Sequence, residues 1–346
     1  MERLADSYIN DLNNAIKNTI GIEELYKKKI LITGVTGLIG AFLVDLILFL
    51  NEKENANIEI YALARNESRA KERFEYAKSS KLKFIIQDVC DPIIIEDKVD
   101  YVIHAAGDGY PEAFRVRPVE TMTPALLGTI NTLNLAKNNN SNSYVLISSG
   151  EVYGNVENVE ELEEPLTYTA LGMNSRSCYP VAKQTSEILC ASYFSEYCVP
   201  VKVARLSHTY GPFFAINDNR AATQFIKKAN KGEDIILHSK GEQKRSYTYV
   251  ADAAAGILTV LIRGENGEAY NVSNHDSKGS ICEFAHVVAK LANVECRFEV
   301  PNEQQLKEKS PIASAVLSSK KIEGLGFKGT YTLEDGLKAT LSALHE

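Results

Sequence analysis

The feature that most constrains this chain is a glycine-rich turn between a short apolar strand and an apolar helix. The strand is predicted at 30–33 and the helix over about 38–52. Glycines let backbone amides approach a pyrophosphate, and the N-terminus of the following helix favours its negative charge. The spacing is Gly-x-x-Gly-x-x-Gly, not Gly-x-Gly-x-x-Gly. The turn predicts a dinucleotide site with candidate contacts Gly34, Thr36, Gly37, Leu38, Ile39 and Gly40.

Further along the chain, short apolar strands alternate with helical segments. This alternation predicts an α/β fold, a Rossmann-like doubly wound parallel sheet with a smaller C-terminal substrate-binding lobe. We expect a helical extension at 1–27, the dinucleotide-binding domain at 28–210 and mainly the substrate lobe at 211–346, with segments at about 245–275 returning to the first domain. The predicted strands are 30–33, 58–63, 83–86, 99–104, 144–148 and 201–205, and the predicted helices include 38–52, 68–78, 118–138 and 179–197.

Charge and composition disfavour several classes of function. The formal net charge is -7, whereas nucleic-acid binding needs a basic surface. The N-terminus is too polar for a signal peptide, and the most apolar run, 38–50, contains Asp45, so we expect no membrane segment. The six cysteines form no close pair and the histidines lack zinc-site spacing. We therefore expect no metal, and reduced, mostly buried thiols in a cytoplasmic protein.

The end of the second strand indicates which dinucleotide binds. An acid there would bind ribose hydroxyls, whereas a base would accept a 2′-phosphate. The segment 62–66 holds no acid, and Arg65, with Arg69 nearby, favours NADP over NAD. The alternative is that Arg65 lies over the adenine or faces solvent. Asp88, after the third strand, is a candidate acceptor for the adenine amino group or, equally, a cap at the start of a loop.

A tyrosine and a lysine four residues apart form the candidate catalytic pair. Tyr179 and Lys183 would share one face of a helix, where the ammonium would lower the pKa of the phenol. Such a phenol can exchange a proton with a substrate hydroxyl. The preceding strand ends in Ser148 and Ser149, at the edge where open parallel sheets bind ligands.

The order of these motifs resembles the extended short-chain dehydrogenases/reductases, also called the NAD-dependent epimerase/dehydratase family. The resemblance runs from about residue 28 to the C-terminus and leaves 1–27 outside. It is carried by Gly34/Gly37/Gly40, Asp88-Val89-Cys90-Asp91, His104-Ala105-Ala106-Gly107, Ser148-Ser149-Gly150-Glu151-Val152-Tyr153-Gly154, Tyr179/Lys183, Tyr210-Gly211-Pro212 and Arg245-Ser246-Tyr247-Thr248-Tyr249-Val250.

The resemblance implies an enzyme that uses NAD(P) and acts on a nucleotide-diphosphate sugar. Tyr179 would be the acid/base, Lys183 would tune it and bind the nicotinamide ribose, and Ser149 would hydrogen-bond the reacting oxygen. Hydride would move between the nicotinamide and a sugar carbon. Val89, Ala105, Ala106 and Gly107 would contact the cofactor together with the glycine-rich turn, and Arg176, Arg220 and Arg245 would contact the substrate.

Glu151 is the best sequence clue to the reaction. Many dehydratases and UDP-glucuronate decarboxylases carry a glutamate at the matching position, and simple 4-epimerases usually do not. A carboxylate beside a transient 4-keto sugar can take a proton next to the carbonyl; the alternative is that Glu151 braces a turn. Gly150 replaces the aspartate that resembles a general acid in dTDP-glucose dehydratases, which weakens a dehydratase assignment, and Ala125 replaces an asparagine of many relatives. Decarboxylase- or dehydratase-like chemistry is therefore favoured over 4-epimerisation.

Two rival functions and one assembly follow from the same residues. A cofactor-binding sensor would typically lack Tyr179 or Lys183, and both are present. An NADPH-consuming reductase of keto sugars is favoured by Arg65. In relatives, the helices that match 118–138 and 179–197 pack against their copies in a homodimer; the alternative is that these helices only cover the sheet. The apolar residues considered for this interface are Ile130, Leu133, Leu135, Ile188 and Leu189.

Overall fold

A computed structural model describes residues 4–156, 159–164, 172–215, 217–300 and 314–345. Its centre is a seven-stranded, fully parallel sheet, which confirms the predicted α/β class. Along the sheet the order is β3-β2-β1-β4-β5-β6-β10. The strand order reverses between β1 and β4, so the cleft at their carboxyl ends is where such sheets bind ligands. The strands are β1 Lys29–Thr33, β2 Glu59–Ala64, β3 Leu82–Ile86, β4 Tyr101–His104, β5 Ser143–Ser149, β6 Val201–Leu206 and β10 Ala269–Val272.

Helices connect the strands of this sheet. Their bounds are α2 Leu38–Glu54, α3 Glu67–Arg73, α4 Pro111–Val116, α5 Pro118–Asn138, α6 Cys178–Tyr197 and α8 Val250–Arg263. Helix α2 is apolar nearly all round and is buried, as expected of a helix that lies on the sheet and is itself covered. Helices α5 and α6 pack against each other. Leu133 and Leu135 are fully buried in the core under these two helices.

A smaller unit follows β6. It contains a four-stranded sheet of β7 His208–Tyr210, β9 Lys244–Tyr249, β11 Lys278–Ser280 and β13 Ser314–Ala315, and a two-stranded sheet of β8 Ile235–Leu237 and β12 Cys296–Phe298. Its helices are α7 Ala221–Asn230, α9 Ile281–Ala292, α10 Lys320–Glu323 and α11 Leu333–His345. Because β7 continues almost directly from β6, the carboxyl end of β6 leads into this unit.

The N-terminal segment is joined to the rest of the protein by buried hydrogen bonds. Helix α1 (Asp6–Asn18) packs on α8, α11 and α2. The Tyr8 hydroxyl donates to the buried Asp45 at 2.6 Å, and Tyr249 and Tyr331 donate to Asp11 at 2.5 and 2.6 Å. Asp45, the charged residue within the apolar run 38–50, also forms an ion pair with Arg73. Buried polar groups paired in this way fix the position of α1.

Three sequence expectations need correction. The helix predicted at 68–78 ends at Arg73, since Phe74 leaves the helical conformation and the chain continues in turns; Asn66 caps its start by accepting from the Arg69 amide. The thiols are not mostly buried, because only Cys178 and Cys190 are, and Cys198 is exposed. The strand predicted at 99–104 begins only at Tyr101.

In the described part of the chain, no helix has both the length and the apolarity needed to cross a membrane.

Candidate active site

The glycine-rich turn forms a cradle that side chains would fill. Gly34 has a positive φ of 70°, and a Cβ on it would lie 2.7 Å from the Ala105 carbonyl oxygen. A Cβ on Gly40 would lie 2.4 Å from the Gly34 carbonyl oxygen. Both positions therefore require glycine, which keeps the turn tight and holds the first turn of α2 close to β1. The exposed amides at this helix N-terminus suit a pyrophosphate, so the residues present fit a dinucleotide.

The predicted site residues meet in one cavity of about 390 Å³ at the carboxyl edge of the large sheet. Arg176 is the exception, since it does not line the cavity itself but pairs with Glu151, which does. Ala315 and Leu317, from the C-terminal part of the chain, also line this cavity. The predicted residues that line the cavity are Gly34, Thr36, Gly37, Leu38, Ile39, Gly40, Arg65, Asp88, Val89, Ala105, Ala106, Gly107, Ser149, Glu151, Tyr179, Lys183, Arg220 and Arg245.

Helix α6 presents Tyr179 and Lys183 to the end of β5. The Tyr179 hydroxyl is hydrogen-bonded to the Ser149 side chain. Lys183, buried one turn later, donates to the Ile147 carbonyl at 2.7 Å. The three side chains are thus held by the end of a strand and by a helix that packs directly against that strand beside the cavity. This arrangement can bind a substrate hydroxyl and exchange its proton.

The pKa values of this pair differ from the sequence expectation. Burial, followed by the nearby Glu151 carboxylate, raises the pKa of Tyr179 to about 12, despite the hydrogen bond from Ser149. Burial lowers the pKa of Lys183 to about 8. The pKa of Tyr179 is therefore raised overall, whereas the spacing from Lys183 alone predicts a lowered value. Desolvation dominates because both groups lie beneath the surface of the cleft.

A second ionisable pair stands beside the first. Glu151 lies in a short 3-10 helix, Gly150–Tyr153, whose first turn is fixed by the Ser149 hydroxyl accepting from the Glu151 amide at 3.2 Å. Its carboxylate accepts from Arg176 at 3.3 Å. Arg176 lies in the turn that leads into α6. One serine therefore touches both Tyr179 and the backbone of Glu151.

Two further arginines line the cavity. Arg220 binds the Asp218 carboxylate and donates to the Thr209 carbonyl at 3.0 Å. Arg245 is buried, donates to the Lys244 carbonyl at 2.7 Å, and has a pKa lowered by burial. His208 lines the cavity as well, and burial together with Arg245 and Arg220 lowers its pKa to about 3. The planar guanidinium of Arg245 suits the oxygens of a phosphate group, whereas the charge of Arg220 is largely balanced by Asp218.

His208 was missed by the sequence analysis. The available signal was its place two residues after β6, where polar side chains follow a buried strand. Ser148 and Ser149 likewise stand at the carboxyl end of a parallel strand, where such sheets bind ligands. Asp108 to Tyr110 were also missed, because nothing in their local sequence marks the loop as part of a cavity wall.

The cavity reaches the protein surface near the end of β2. Arg65 is exposed at the rim, next to Asn66 and Arg69. Asp88 accepts from the Cys90 amide at 2.9 Å, so it caps the loop after β3, the alternative that the sequence left open. Burial works against the ionised form of Asp88, but the contacts with Cys90 and the charge of Arg65 outweigh it and lower the pKa of the carboxyl group.

A buried ion pair joins β6 to α6, the helix that carries Tyr179 and Lys183. Arg205 of β6 binds Glu187 of α6 at 2.8 Å, and the Ser148 hydroxyl donates to the same carboxylate at 2.5 Å. Arg205 also donates to Tyr153 at 2.9 Å. Glu187 follows Lys183 by one helical turn, so the network fixes α6 against β5 and β6.

Among the described residues, no group of three or more His, Cys, Asp or Glu side chains is placed to hold a metal ion.

Comparison with known proteins agrees with this geometry. The family described as "NAD dependent epimerase/dehydratase family" matches residues 30–273. The chain belongs to this family. The match begins at β1 and ends just after β10, so it covers the whole large sheet and the cavity residues from Gly34 to Arg245. It confirms the resemblance drawn from the motifs, and with it an enzyme of the nucleotide-sugar epimerase/dehydratase type. Helix α1 lies outside the matched residues.

Among curated proteins, this epimerase/dehydratase family member is similar to UDP-glucuronic acid decarboxylases. It is 29% identical over 323 residues to UDP-glucuronic acid decarboxylase 1 of Xenopus tropicalis, covering 92% of this chain and 73% of the relative. It is 30% identical over 315 residues to UDP-glucuronic acid decarboxylase 6 of Arabidopsis thaliana, covering 89% and 86%.

Solved structures share the fold of this family member. An epimerase from Methanothermobacter thermautotrophicus superposes with a TM-score of 0.80 at 18% identity and covers 98% of this chain and 96% of its own. A UDP-glucuronic acid 4-epimerase from Bacillus cereus, solved with UDP-glucuronic acid and NAD, gives 0.77 at 21% identity and covers 92% and 99%.

Proposed function

We propose that this enzyme decarboxylates a nucleotide-linked uronic acid, with UDP-glucuronate as the first candidate, through a transient 4-keto sugar. The observation that carries the proposal is that Glu151 lines one cavity with Ser149 and Tyr179 and is paired there with Arg176, which lies just outside the lining. Oxidation at C4 needs only the serine, tyrosine and lysine. A second step at the neighbouring carbon needs a further acid or base, and Glu151 supplies it. The similarity to UDP-glucuronic acid decarboxylases supports this choice over dehydration.

The chain's own residues divide the work between two steps. Bound NAD(P) supplies a reversible acceptor for the electron pair of the sugar C4–H bond. Tyr179 exchanges the proton of the O4 hydroxyl, and Ser149 hydrogen-bonds that oxygen. Once C4 is a carbonyl, the bond from C5 to the carboxylate breaks, carbon dioxide leaves, and its electron pair is delocalised onto O4. C5 would then take up a proton from water, relayed by the Glu151 carboxylate, and the electron pair taken from C4 would return to that carbon.

Arg176 explains how two carboxylates can share the site. A uronic acid brings its own negative charge next to Glu151, and like charges at close range repel. Arg176 already binds Glu151 at 3.3 Å and is 41% exposed at its side chain, so part of the guanidinium remains accessible. We infer that it neutralises both anions. Arg245 and Arg220, which line the cavity, would hold the diphosphate.

The test is a substrate panel with product identification. The purified enzyme is incubated with UDP-glucuronate, UDP-glucose, dTDP-glucose, GDP-mannose and a CDP-sugar, each with NAD and with NADP. We expect UDP-glucuronate to be consumed with release of carbon dioxide and a UDP-pentose. Formation of the 4-epimer alone, or turnover of a neutral hexose with loss of water and none of UDP-glucuronate, would contradict the proposal.

We also propose that the enzyme prefers NADP. The support is Arg65 at the cavity rim, with no acid at the end of β2. Arg65→Ala should weaken NADP(H) binding on the order of tenfold and leave NAD(H) nearly unchanged, because only NADP(H) carries the 2′-phosphate. Titration of both cofactors against both proteins measures this, with Lys71→Ala, an exposed cation of α3 outside the cavity lining, as the control that should change neither affinity. Equal weakening of the two cofactors would refute it. NADP preference would also favour the alternative of an NADPH-dependent reductase.

We propose a homodimer formed by α5 and α6. Leu133 and Leu135 belong to α5, but their side chains are buried in the core and cannot contribute to an interface. This corrects two of the five residues named from the sequence. Ile188 is 56% exposed and Leu127 44% exposed, so the outer face of these helices remains partly apolar. Light scattering should show a dimer at micromolar concentration, and Ile188→Glu should give a monomer with the same fold, since a symmetric interface buries the introduced charge twice.

The matched control for the dimer is Ile94→Glu. Ile94 is 84% exposed and lies outside both helices, so its variant should remain dimeric. A monomeric wild-type protein would refute the assembly. We further propose that the enzyme acts in the cytoplasm, where its free cysteines would stay reduced; fractionation of the cells that make it tests this.

A further inference from the structure

We propose that Phe114 is a positioning residue that sets the Tyr179 ring and the Arg176 guanidinium relative to each other. Phe114 is absent from the cavity lining and from the sequence motifs. Its ring stacks on that of Tyr179 with 4.4 Å between centroids and 16° between planes. The guanidinium carbon of Arg176 lies 5.2 Å from the centroid of the same ring. One aromatic side chain therefore contacts a group from each of the two proposed steps, so this inference rests on the proposed function.

The surroundings of Phe114 make it a fixed platform. It is 1% exposed and belongs to a small buried cluster with Ala113 and Cys178. The Cys178 thiol donates to the Phe114 carbonyl at 3.7 Å, which ties α4 to the first residue of α6. Asn219 accepts from the Glu112 amide at 3.2 Å, which ties the start of α4 to the loop that carries Arg220. A ring held in this way limits the rotamers of the groups that pack on it.

The contacts also join the two ionisable pairs. Stacking restricts the plane of the Tyr179 phenol and excludes water from it, while the attraction between a cation and an aromatic ring holds Arg176. Arg176 in turn holds the Glu151 carboxylate. The chain of contacts is therefore Tyr179, Phe114, Arg176 and Glu151. A small displacement of a catalytic group can lower the rate by one to two orders of magnitude, so the platform is expected to matter for turnover more than for binding.

The test is Phe114→Leu, which keeps an apolar side chain and removes the flat ring. We expect kcat to fall on the order of tenfold with little change in KM. A second readout needs no substrate: tyrosine labelled with an NMR-active carbon at Cζ, with the Tyr179 signal assigned by its absence in Tyr179→Phe. In Phe114→Leu this signal should shift, and the pKa of Tyr179 should fall, because the phenol gains hydration. If the leucine variant does not fold, Phe114→Met fills more of the space and replaces it.

The matched control is Phe74→Leu. Phe74 is 3% exposed, lies 5.0 Å from the Arg73 guanidinium and 6.5 Å from the Tyr76 ring, and lies outside the cavity lining. It should lose comparable thermal stability and keep kcat and the Tyr179 signal. The proposal is overturned if Phe114→Leu leaves the Tyr179 signal unchanged, or if Phe74→Leu lowers kcat equally. Failure of the wild type on UDP-glucuronate would refute the proposed function, but the Tyr179 signal would still decide the role of Phe114.

Discussion

Tyr179→Phe should lower kcat at least about a hundredfold while the cofactor still binds. The substitution keeps the ring, its stacking on Phe114 and the volume of the buried site, and it removes only the hydroxyl that Ser149 binds. Without that hydroxyl, the proton of the substrate has no acceptor at the end of β5. The measurement is steady-state turnover of the substrate found in the panel, together with cofactor titration by fluorescence.

Tyr197→Phe is the control for this variant. Tyr197 is the last residue of the same helix and is 41% exposed, so removal of its hydroxyl leaves the cavity untouched. It should turn over like the wild type. Near-normal turnover in Tyr179→Phe would sink the assignment of the acid/base, and lost cofactor binding would show that the hydroxyl supports the cleft instead.

Glu151→Gln should separate the two steps. Oxidation at C4 depends on Tyr179 and Ser149 and should persist, whereas the step at the neighbouring carbon loses its acid/base and should slow on the order of a hundredfold. Enzyme-bound 4-keto sugar should therefore accumulate, and the near-ultraviolet absorbance of reduced nicotinamide should rise and remain. The amide keeps the shape of the side chain and an acceptor for Arg176, so the 3-10 turn should stay intact. Stopped-flow absorbance with quenched product analysis measures both steps.

Glu334→Gln is the matched control, because it removes a carboxylate that pairs with Lys290 at 3.1 Å on the surface. It should leave turnover and absorbance unchanged. In a 4-epimerase the keto sugar only rotates and is reduced again, so Glu151→Gln would then change the rate little. Unimpaired turnover with no trapped intermediate would leave the epimerase or the reductase as the function.

Local spacing was enough to predict much of the site. Gly34, Gly37 and Gly40 sit between a strand and a helix, and the cradle that they form is a property of the backbone of a few consecutive residues. Tyr179 and Lys183 share a helical face because of their spacing alone. The large sheet followed from the alternation of strands and helices, since a parallel connection requires a crossover.

The contacts between distant segments were not predictable. The stacking of Phe114 on Tyr179 and the pairing of Arg176 with Glu151 depend on where α4 and the turn before α6 come to lie. The inward direction of Leu133 also depends on the rotation of its helix, because an apolar helix with two covered faces has no clear stripe. The raised pKa of Tyr179 is set by burial, which no pair of sequence positions reveals.

The balance between product and reduced cofactor tests the central claim most directly, namely that the electron pair taken from C4 returns to the same sugar. UDP-glucuronate is supplied in large excess over enzyme and cofactor, and carbon dioxide and reduced nicotinamide are followed together. The account predicts many molecules of carbon dioxide for each cofactor present, with no net reduction at the end. One reduced cofactor formed for each product molecule, or no carbon dioxide at all, would contradict it.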